Sequence, residues 1–529
     1  DHVVKAGIRY QRIELVAQDA GDNTASAYYN VCTTVPATNC PAGSTVGTSP
    51  IPYQIVFGAP SVGLSPIVRS TDNQYGAYIQ DDWTVNDHLT FNLGLRWDME
   101  HNNSYLNWVT PANVVAAFQA QDPNAPAGQT YAQSLALGGV NINDYISNGH
   151  NRSPKKDEWQ PRLGFSYDLN GDQQHVVFGG VGRSYDRNLY DYLQLEQTKF
   201  ALDQFTFNFS GPGQPCLSAP CTPWDPKYLD LANLQALVQG TNEGKEVDMI
   251  NNDIKVPYSD QFSLGMRNRL GDWNTSATVA RVISKDGFAF TLGNRYPNGA
   301  FWMNGGQPWG NGIPGFGSLI IGNSGIETRS TQVLLYAEKP YTRESGWGVT
   351  VAYTYTNAHQ NRDINEHYSF DEATIQDYPF ILSNSAPKHR LVATGVVDIP
   401  WDITLSAKLT LATPTPLNDL ACYGATFPNG SGCIPAAAIP SGGKRFMIGG
   451  PIWGYRDIDF SAIKNIRITD SVNWYLRLDI LNAFNYKNYI NTTGNWGSNG
   501  VYNPMFAYNT TGDITGVPRT FKFTMGVRW

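Results

Sequence analysis

Charge is scarce in this chain. Only 16% of its 529 residues are Asp, Glu, Lys or Arg, against roughly 25% in soluble globular proteins. No tract of clustered Lys and Arg occurs and the formal net charge is -8, so no nucleic-acid partner is expected. Long apolar runs are missing too. No stretch of 18 apolar residues exists, which excludes a transmembrane helix but not a membrane-spanning strand. The eight His are dispersed, without an HxxxH pair or a Ser–His–Asp set at recognisable spacing, so no catalytic residue, metal ligand or cofactor is assigned. Gly179 to Ser184 is glycine-rich but matches neither a phosphate loop nor a dinucleotide fingerprint. Asp168, Asn170 and Asp172 imitate the start of a calcium loop. Its terminal bidentate position falls on Gly179, and a tight turn is the expectation.

Cysteine is equally sparse. The six form three close pairs, Cys32 with Cys40, Cys216 with Cys221 and Cys422 with Cys433. Each pair sits in a stretch rich in Pro, Gly, Ser and Thr. Zinc sites draw on CxxC or CxxH spacings, and no His lies near any pair. Three local disulfides are expected, and with them an oxidising compartment.

Glycine (51), tyrosine (29) and tryptophan (14) are abundant, while the mean hydropathy of -0.34 is that of a water-soluble chain. Alternation reconciles the two. In the last nine residues Phe521, Phe523, Met525, Val527 and Trp529 fall on one side of an extended strand, and Lys522, Thr524, Gly526 and Arg528 on the other. A wholly apolar strand face at the end of a soluble protein invites aggregation. A strand with lipid on one side and water on the other takes this pattern naturally. The same alternation recurs upstream: Val4 to Tyr10, Leu89 to Trp97, Leu163 to Leu169, Phe262 to Met266, Val349 to Tyr355, Ile403 to Leu411, and Trp474 to Ile480. About fourteen such segments are joined alternately by tight polar turns and by loops of tens of residues. A soluble sandwich or propeller spreads its loop lengths more evenly and uses strands of about five residues. The expected fold is therefore all-β, a transmembrane antiparallel barrel with short periplasmic turns and long extracellular loops. Trp83, Trp97, Trp401 and Trp474, near strand ends, are expected in the interfacial aromatic girdles.

Several stretches resemble the C-terminal barrel of TonB-dependent outer-membrane transporters, above all the Oar-like group, which carries a carboxypeptidase-regulatory-like domain. The carrying residues are Tyr75 to Trp83 (YGAYIQDDW) and Asn92 to Trp97 (NLGLRW). Further on come Pro161 to Asp168 (PRLGFSYD), Pro257 to Gln261 (PYSDQ), Lys388-His389-Arg390, and the run from Arg477 through Asn482-Ala483-Phe484-Asn485 to Tyr489. The resemblance implies a 22-stranded barrel around a plug, gripped by TonB through an N-terminal region. Neither plug nor gripping segment is visible in residues 1–529, so the whole chain is expected to be the C-terminal part of a longer barrel protein. It further implies a Gram-negative outer membrane, outer-membrane lipid around the wall, and active uptake of a scarce, bulky solute. Phe521 to Trp529 resembles the C-terminal signal read by the barrel-assembly machinery.

Phe301, Trp302, Trp309 and Phe316 lie in one expected extracellular loop, interleaved with glycines. They could stack on an unidentified sugar or peptide ligand, or the loop could fold on itself over the barrel mouth. Asp363, Glu366, Asp371 and Glu372 form an acidic loop, read as solvated, with calcium binding as the alternative. Two other functions fit parts of the pattern: a self-contained passive pore of about fourteen strands, and a secreted adhesive β-protein.

Overall fold

Alternating segments become the wall of the molecule, and the long connections become a separate layer at one end of it. A computed structural model describes residues 1–18, 25–32, 42–60, 65, 67–238, 246–293, 312–362, 367–370, 374–378, 380–383, 385–413, 454–489 and 514–529. The wall is one antiparallel meander in which each strand pairs with the next in sequence. Its first seven strands are β1 (His2–Gln18), β2 (Ile67–Thr84), β3 (Leu89–Asn102), β4 (Glu158–Asp168), β5 (His175–Tyr185), β6 (Tyr258–Leu270) and β7 (Trp273–Leu292). The other seven are β8 (Leu319–Lys339), β9 (Trp347–Gln360), β10 (His389–Ile399), β11 (Ile403–Ala412), β12 (Tyr455–Arg467), β13 (Asn473–Leu481) and β14 (Thr520–Arg528). Among the described residues β1 and β14 each pair along one edge only, so this sheet is not closed.

Residues directly opposed across a ladder share a face, so the register carries one strand's alternation across its neighbours. Val397 pairs with Leu405, Leu405 with Ala462, Ala462 with Leu478, and Leu478 with Phe523. One row further, Val396, Ser406, Ser461, Asp479 and Lys522 follow one another on the opposite face. One side of the wall is thus an apolar surface with no protein cover among the described residues. Ile8, Leu264 and Phe523 are 92, 58 and 63% exposed. Contiguous apolar exposure on this scale marks a surface built for a non-aqueous neighbour.

Short turns at 85–88, 169–174, 271–272, 340–346, 400–402 and 468–472 all close hairpins at the same end of the wall. The tightest is Gly271-Asp272 between the paired Leu270 and Trp273, where Gly271 takes φ +61°. A two-residue hairpin loop wants a glycine in that first position because its backbone twist matches the strands. Trp83, Trp401 and Trp474 stand at this end, Trp401 76% exposed. Trp97 stands toward the other end, its ring 6.3 Å from that of Trp159 on the neighbouring strand. Together they flank the apolar band.

The long connections form a cap with buried cores of its own. One contains Val114, Phe118, Leu135, Ile142, Met249 and Ile321, and a second Leu193, Ile250, Phe288, Phe290 and Ile320. A third joins Ile55, Phe57, Phe209, Tyr228 and Leu234. It underlies a small second sheet of Ala25–Cys32, Gly47–Pro60, Leu202–Ser210 and Cys221–Pro223. Helices Ala112–Phe118, Tyr131–Leu137, Tyr190–Ala201 and Leu231–Val238 complete the cap. The second of these starts at a reciprocal cap in which Thr130 and Gln133 satisfy each other's backbone N–H groups.

Several expectations need amendment. Strands β7 and β8 run 20 and 21 residues, far past the segments read from alternation, because their upper ends enter the cap. There Phe288, Ala289, Phe290, Thr291 and Leu292 are all buried and alternation disappears. Phe316 is buried inside the first core rather than offered to a ligand. An apolar ring on a segment that ends against Leu319 gains more by joining that core than by meeting water. Phe301, Trp302 and Trp309 lie outside the described residues, as do Asp363, Glu366, Asp371 and Glu372. Cys216 and Cys221 form a disulfide. Cys32 is buried in the second sheet and forms no disulfide among the described residues; its expected partner Cys40, with Cys422 and Cys433, lies outside the described residues.

Candidate binding site

The uncovered apolar face fixes the other face as the lumen, and its polar residues supply the candidate site. Register places Asp72, Gln74 and Gly76 of β2 opposite Asn102, Glu100 and Asp98 of β3, and places Asp98 and Arg96 opposite Glu158 and Gln160 of β4. All lie toward the cap end, remote from the short turns. Among them is a cavity of about 230 Å³, whose lining includes Gln74, Arg96, Asp98, Glu100, Glu158, Gln160, Arg162 and Arg187 but not Asp72 or Asn102. Beside it, helix Tyr190–Ala201 begins with the Tyr190 hydroxyl donating to Asp72 Oδ2 at 3.0 Å.

Most of these charges are paired. Arg96 grips Asp98 through Nε and Nη2, the second contact at 2.8 Å. Gln160 adds a hydrogen bond to Asp98, and Arg187 Nε lies 2.8 Å from Glu100 Oε1. Gln74 donates through Nε2 to Asp72 Oδ2 at 2.8 Å. Glu158 is different: it is 3% exposed and takes no hydrogen bond or ion pair among the described residues.

Above the cavity a buried clamp holds the cap together. Arg152 and Glu196 form a two-pronged pair at 2.6 and 2.9 Å with side chains 0 and 1% exposed. Arg152 also donates to the carbonyls of Tyr105 and Ile250 and to Asn252 Oδ1, while Glu196 accepts from the Ile250 N–H. Every lobe of the pair is therefore satisfied, the condition under which a buried ion pair is tolerated. Three segments distant in sequence meet at this one guanidinium. Close by, Asp248 is buried and its Oδ2 has no hydrogen-bond partner among the described residues. Burial above all, and then the neighbouring Glu246, hold its carboxyl well above the usual carboxylate range.

A second hollow of about 590 Å³ lies along the lumenal face of β8 to β14, where Lys408, Asp459, Arg477, Asp479 and Lys522 project. Arg477 Nε donates to Asp479 Oδ1 at 2.7 Å, a structural pairing within one strand face. The terminal-strand residues Phe521, Phe523, Met525, Val527 and Trp529 sit on the uncovered apolar face, Trp529 93% exposed. Sequence reading singled out neither the cavity nor the clamp. Their members are isolated polar residues, brought together only by strand register and loop packing.

The outer membrane beta barrel domain family matches residues 1–405. No curated protein matches. Among solved structures, the outer membrane transporter YddB from Escherichia coli is 12% identical with a TM-score of 0.49, covering 100% of this chain and 60% of that one. A mutant ferric enterobactin receptor, PfeA, from Pseudomonas aeruginosa in complex with enterobactin is 11% identical with a TM-score of 0.46, covering 100% and 54%. FpvA of Pseudomonas aeruginosa bound to a heterologous pyoverdine is 12% identical with a TM-score of 0.43, covering 88% and 39%. The chain thus spans less than two thirds of the length of each. With its uncovered apolar wall, its lumenal polar face and the family match over most of its length, the chain belongs to the outer membrane beta barrel domain family and is a multi-pass protein of the bacterial outer membrane.

Proposed function

We propose that this chain is the C-terminal wall and extracellular roof of a TonB-dependent outer-membrane transporter of the Oar-like group, which takes up a scarce, bulky solute. The observation that carries the reading is the roof. A passive pore needs a lumen open to water, whereas here a cap with its own cores packs helix Tyr190–Ala201 against the lumenal residues of β2. The motifs that resemble the transporter group support it, since they fall on consecutive wall strands: Tyr75 to Trp83 on β2, Asn92 to Trp97 on β3 and Pro161 to Asp168 on β4. The free edges of β1 and β14 support a larger barrel, because unpaired strand edges cannot face hydrocarbon. In this reading further strands and a plug belong to the same protein, and TonB engages its N-terminal region. The barrel-assembly machinery reads Phe521 to Trp529, and the cap gathers the solute.

The test uses the full-length protein. In planar lipid bilayers it should carry no steady ion conductance, and it should retain the periplasmic domain of TonB in a pull-down. Steady conductance without TonB retention would overturn the transporter reading in favour of the passive pore.

A further inference from the structure

The chain is anionic as a whole, at -8, yet one patch of the outward face carries unmatched positive charge. On that face the row of opposed residues Leu163, Val181 and Phe262 runs into Arg281. There it turns polar, continuing through Thr331 and Asn357. One row nearer the cap the same face presents Arg183, Asp260, Ile283 and Arg329, and the next presents Tyr185, Tyr258 and Lys285. Two of the four cations have a carboxylate of their own. Arg183 holds both oxygens of Asp260, at 2.7 and 2.8 Å, and Arg329 holds Glu327 at 2.7 Å. Arg281 and Lys285 have none. Among the described residues Arg281 donates to Thr331 Oγ1 alone, at 2.7 Å, and Lys285 makes no hydrogen bond or ion pair. Lys285 lies in the field of Asp260, but Arg183 already holds that carboxylate. The outward lysines of the short-turn end are arranged differently. Lys339 Nζ donates to the Trp347 carbonyl at 3.0 Å, and Lys464 Nζ to the Trp401 carbonyl.

Depth decides what these two cations meet. Trp273, beside the tight turn, stands on the same outward face, its ring 6.3 Å from that of Trp347. Arg281 and Lys285 follow it on the strand, roughly 26 and 40 Å along, which is about 19 and 28 Å of height at a tilt of about 45°. An outward apolar band is about 25 Å tall, so the pair brackets its upper edge, where lipid headgroups begin. Tyr185 and Tyr258, with ring centres 5.7 Å apart, stand at the same level, as amphipathic rings do at a membrane interface. A guanidinium offers five N–H donors, and Thr331 takes one of those on Arg281. At the rim of the hydrocarbon the rest need an acceptor from the membrane, and phosphate matches the planar fork of an arginine. Two unmatched cations on one strand face suit a headgroup that carries two phosphates. In the outer leaflet that is the phosphorylated disaccharide of lipid A. We propose that Arg281 and Lys285 bind the phosphate groups of a glycolipid of the lipid A class. The proposal goes beyond the transporter reading and rests only on its placement of the cap outside the cell.

The test is native mass spectrometry of purified full-length protein in detergent, titrated in turn with bisphosphorylated lipid A, phosphatidylglycerol and inorganic phosphate. Wild type should bind lipid A at least tenfold more tightly than phosphatidylglycerol, and inorganic phosphate not at all. Arg281→Gln combined with Lys285→Gln should weaken lipid A binding at least tenfold, and Lys464→Gln, at the short-turn end, should leave it unchanged. Lipid A should raise the melting temperature of wild type but not that of the double variant. Lys285→Gln alone, above the hydrocarbon, should weaken binding at least threefold, so the reading does not depend on the double variant folding. Lipid A affinity equal in wild type and Lys285→Gln would overturn the proposal. It would leave the transporter reading standing, because neither TonB nor uptake enters the measurement. Inorganic phosphate bound as tightly as lipid A would overturn it in favour of a soluble anion. Phosphatidylglycerol bound more tightly than lipid A would overturn it together with the extracellular placement of the cap.

Discussion

In the wall, Leu405, Leu478 and Phe523 are 37, 40 and 63% exposed; in the cap, Phe118, Leu135 and Phe290 are wholly covered. Both regions belong to one chain and both are rich in large apolar residues, yet only the cap shields them with protein. The cap folds by burying apolar surface from water, as soluble domains do. Between its two edge strands the wall keeps its backbone groups in ladders and leaves its apolar side for lipid. The difference teaches that the two regions answer to different solvents, so substitutions and pH should act on them separately.

The largest effect is expected at the cap clamp. Arg152→Ala leaves Glu196 buried and unpaired, a loss of about 3–5 kcal/mol. Amide hydrogen exchange should show residues 246–254 losing protection, while the wall strands keep theirs and the protein keeps its heat-modifiable gel mobility. Equal loss in both regions would dissolve the distinction between them. In the wall, Leu409 pairs with Ile458 on the apolar face, and Lys408 with Asp459 on the lumenal face. Leu409→Arg should cost roughly 2–4 kcal/mol if the residue sits near the bilayer midplane, read from reversible urea unfolding in lipid vesicles. Lys408→Arg should change little. Equal tolerance at the two positions would contradict the assigned faces.

The smallest effect concerns pH and the cap alone. Burial and Glu246 raise the Asp248 carboxyl above its unfolded value. Its contribution to stability is therefore fully present below the ordinary carboxylate range, about pH 4, and fades as pH rises through the folded value. Exchange protection of residues 247–250, corrected for intrinsic rates, should fall as pH rises through that interval. Asp248→Asn should flatten the dependence, and a slope unchanged in the variant would assign it to another group.

The same contrast decides what could be read in the sequence. Wall strands that meet lipid and water keep strict alternation, so Leu89 to Trp97, Ile403 to Leu411 and the terminal strand were legible down to their faces. Where a strand enters the cap both faces are buried, as at Phe288 to Leu292, and the period-2 signal vanishes although the ladder continues. The second sheet was hidden by Pro50, Pro52 and Pro60, residues that speak against a strand. Helix Tyr190–Ala201 turns Gln194, Glu196 and Thr198 inward beside Leu193, so its buried face has no apolar period. The binding cavity was illegible for a different reason. Gln74 and Tyr190 touch across 116 positions, and only the registers of successive hairpins bring Gln74 and Glu158 to one place.

The most direct test of the central claim, that one face of the wall lies in lipid, is a nitroxide scan of residues 403–411 in full-length protein reconstituted in lipid. Each position carries a single spin label in turn, and collisions with oxygen and with a water-soluble nickel chelate are compared. Ile403, Leu405, Ala407, Leu409 and Leu411 should favour oxygen, and Thr404, Ser406, Lys408 and Thr410 the nickel chelate, in strict alternation. A scan without period 2, or one in which the even-numbered positions favour oxygen, would contradict it.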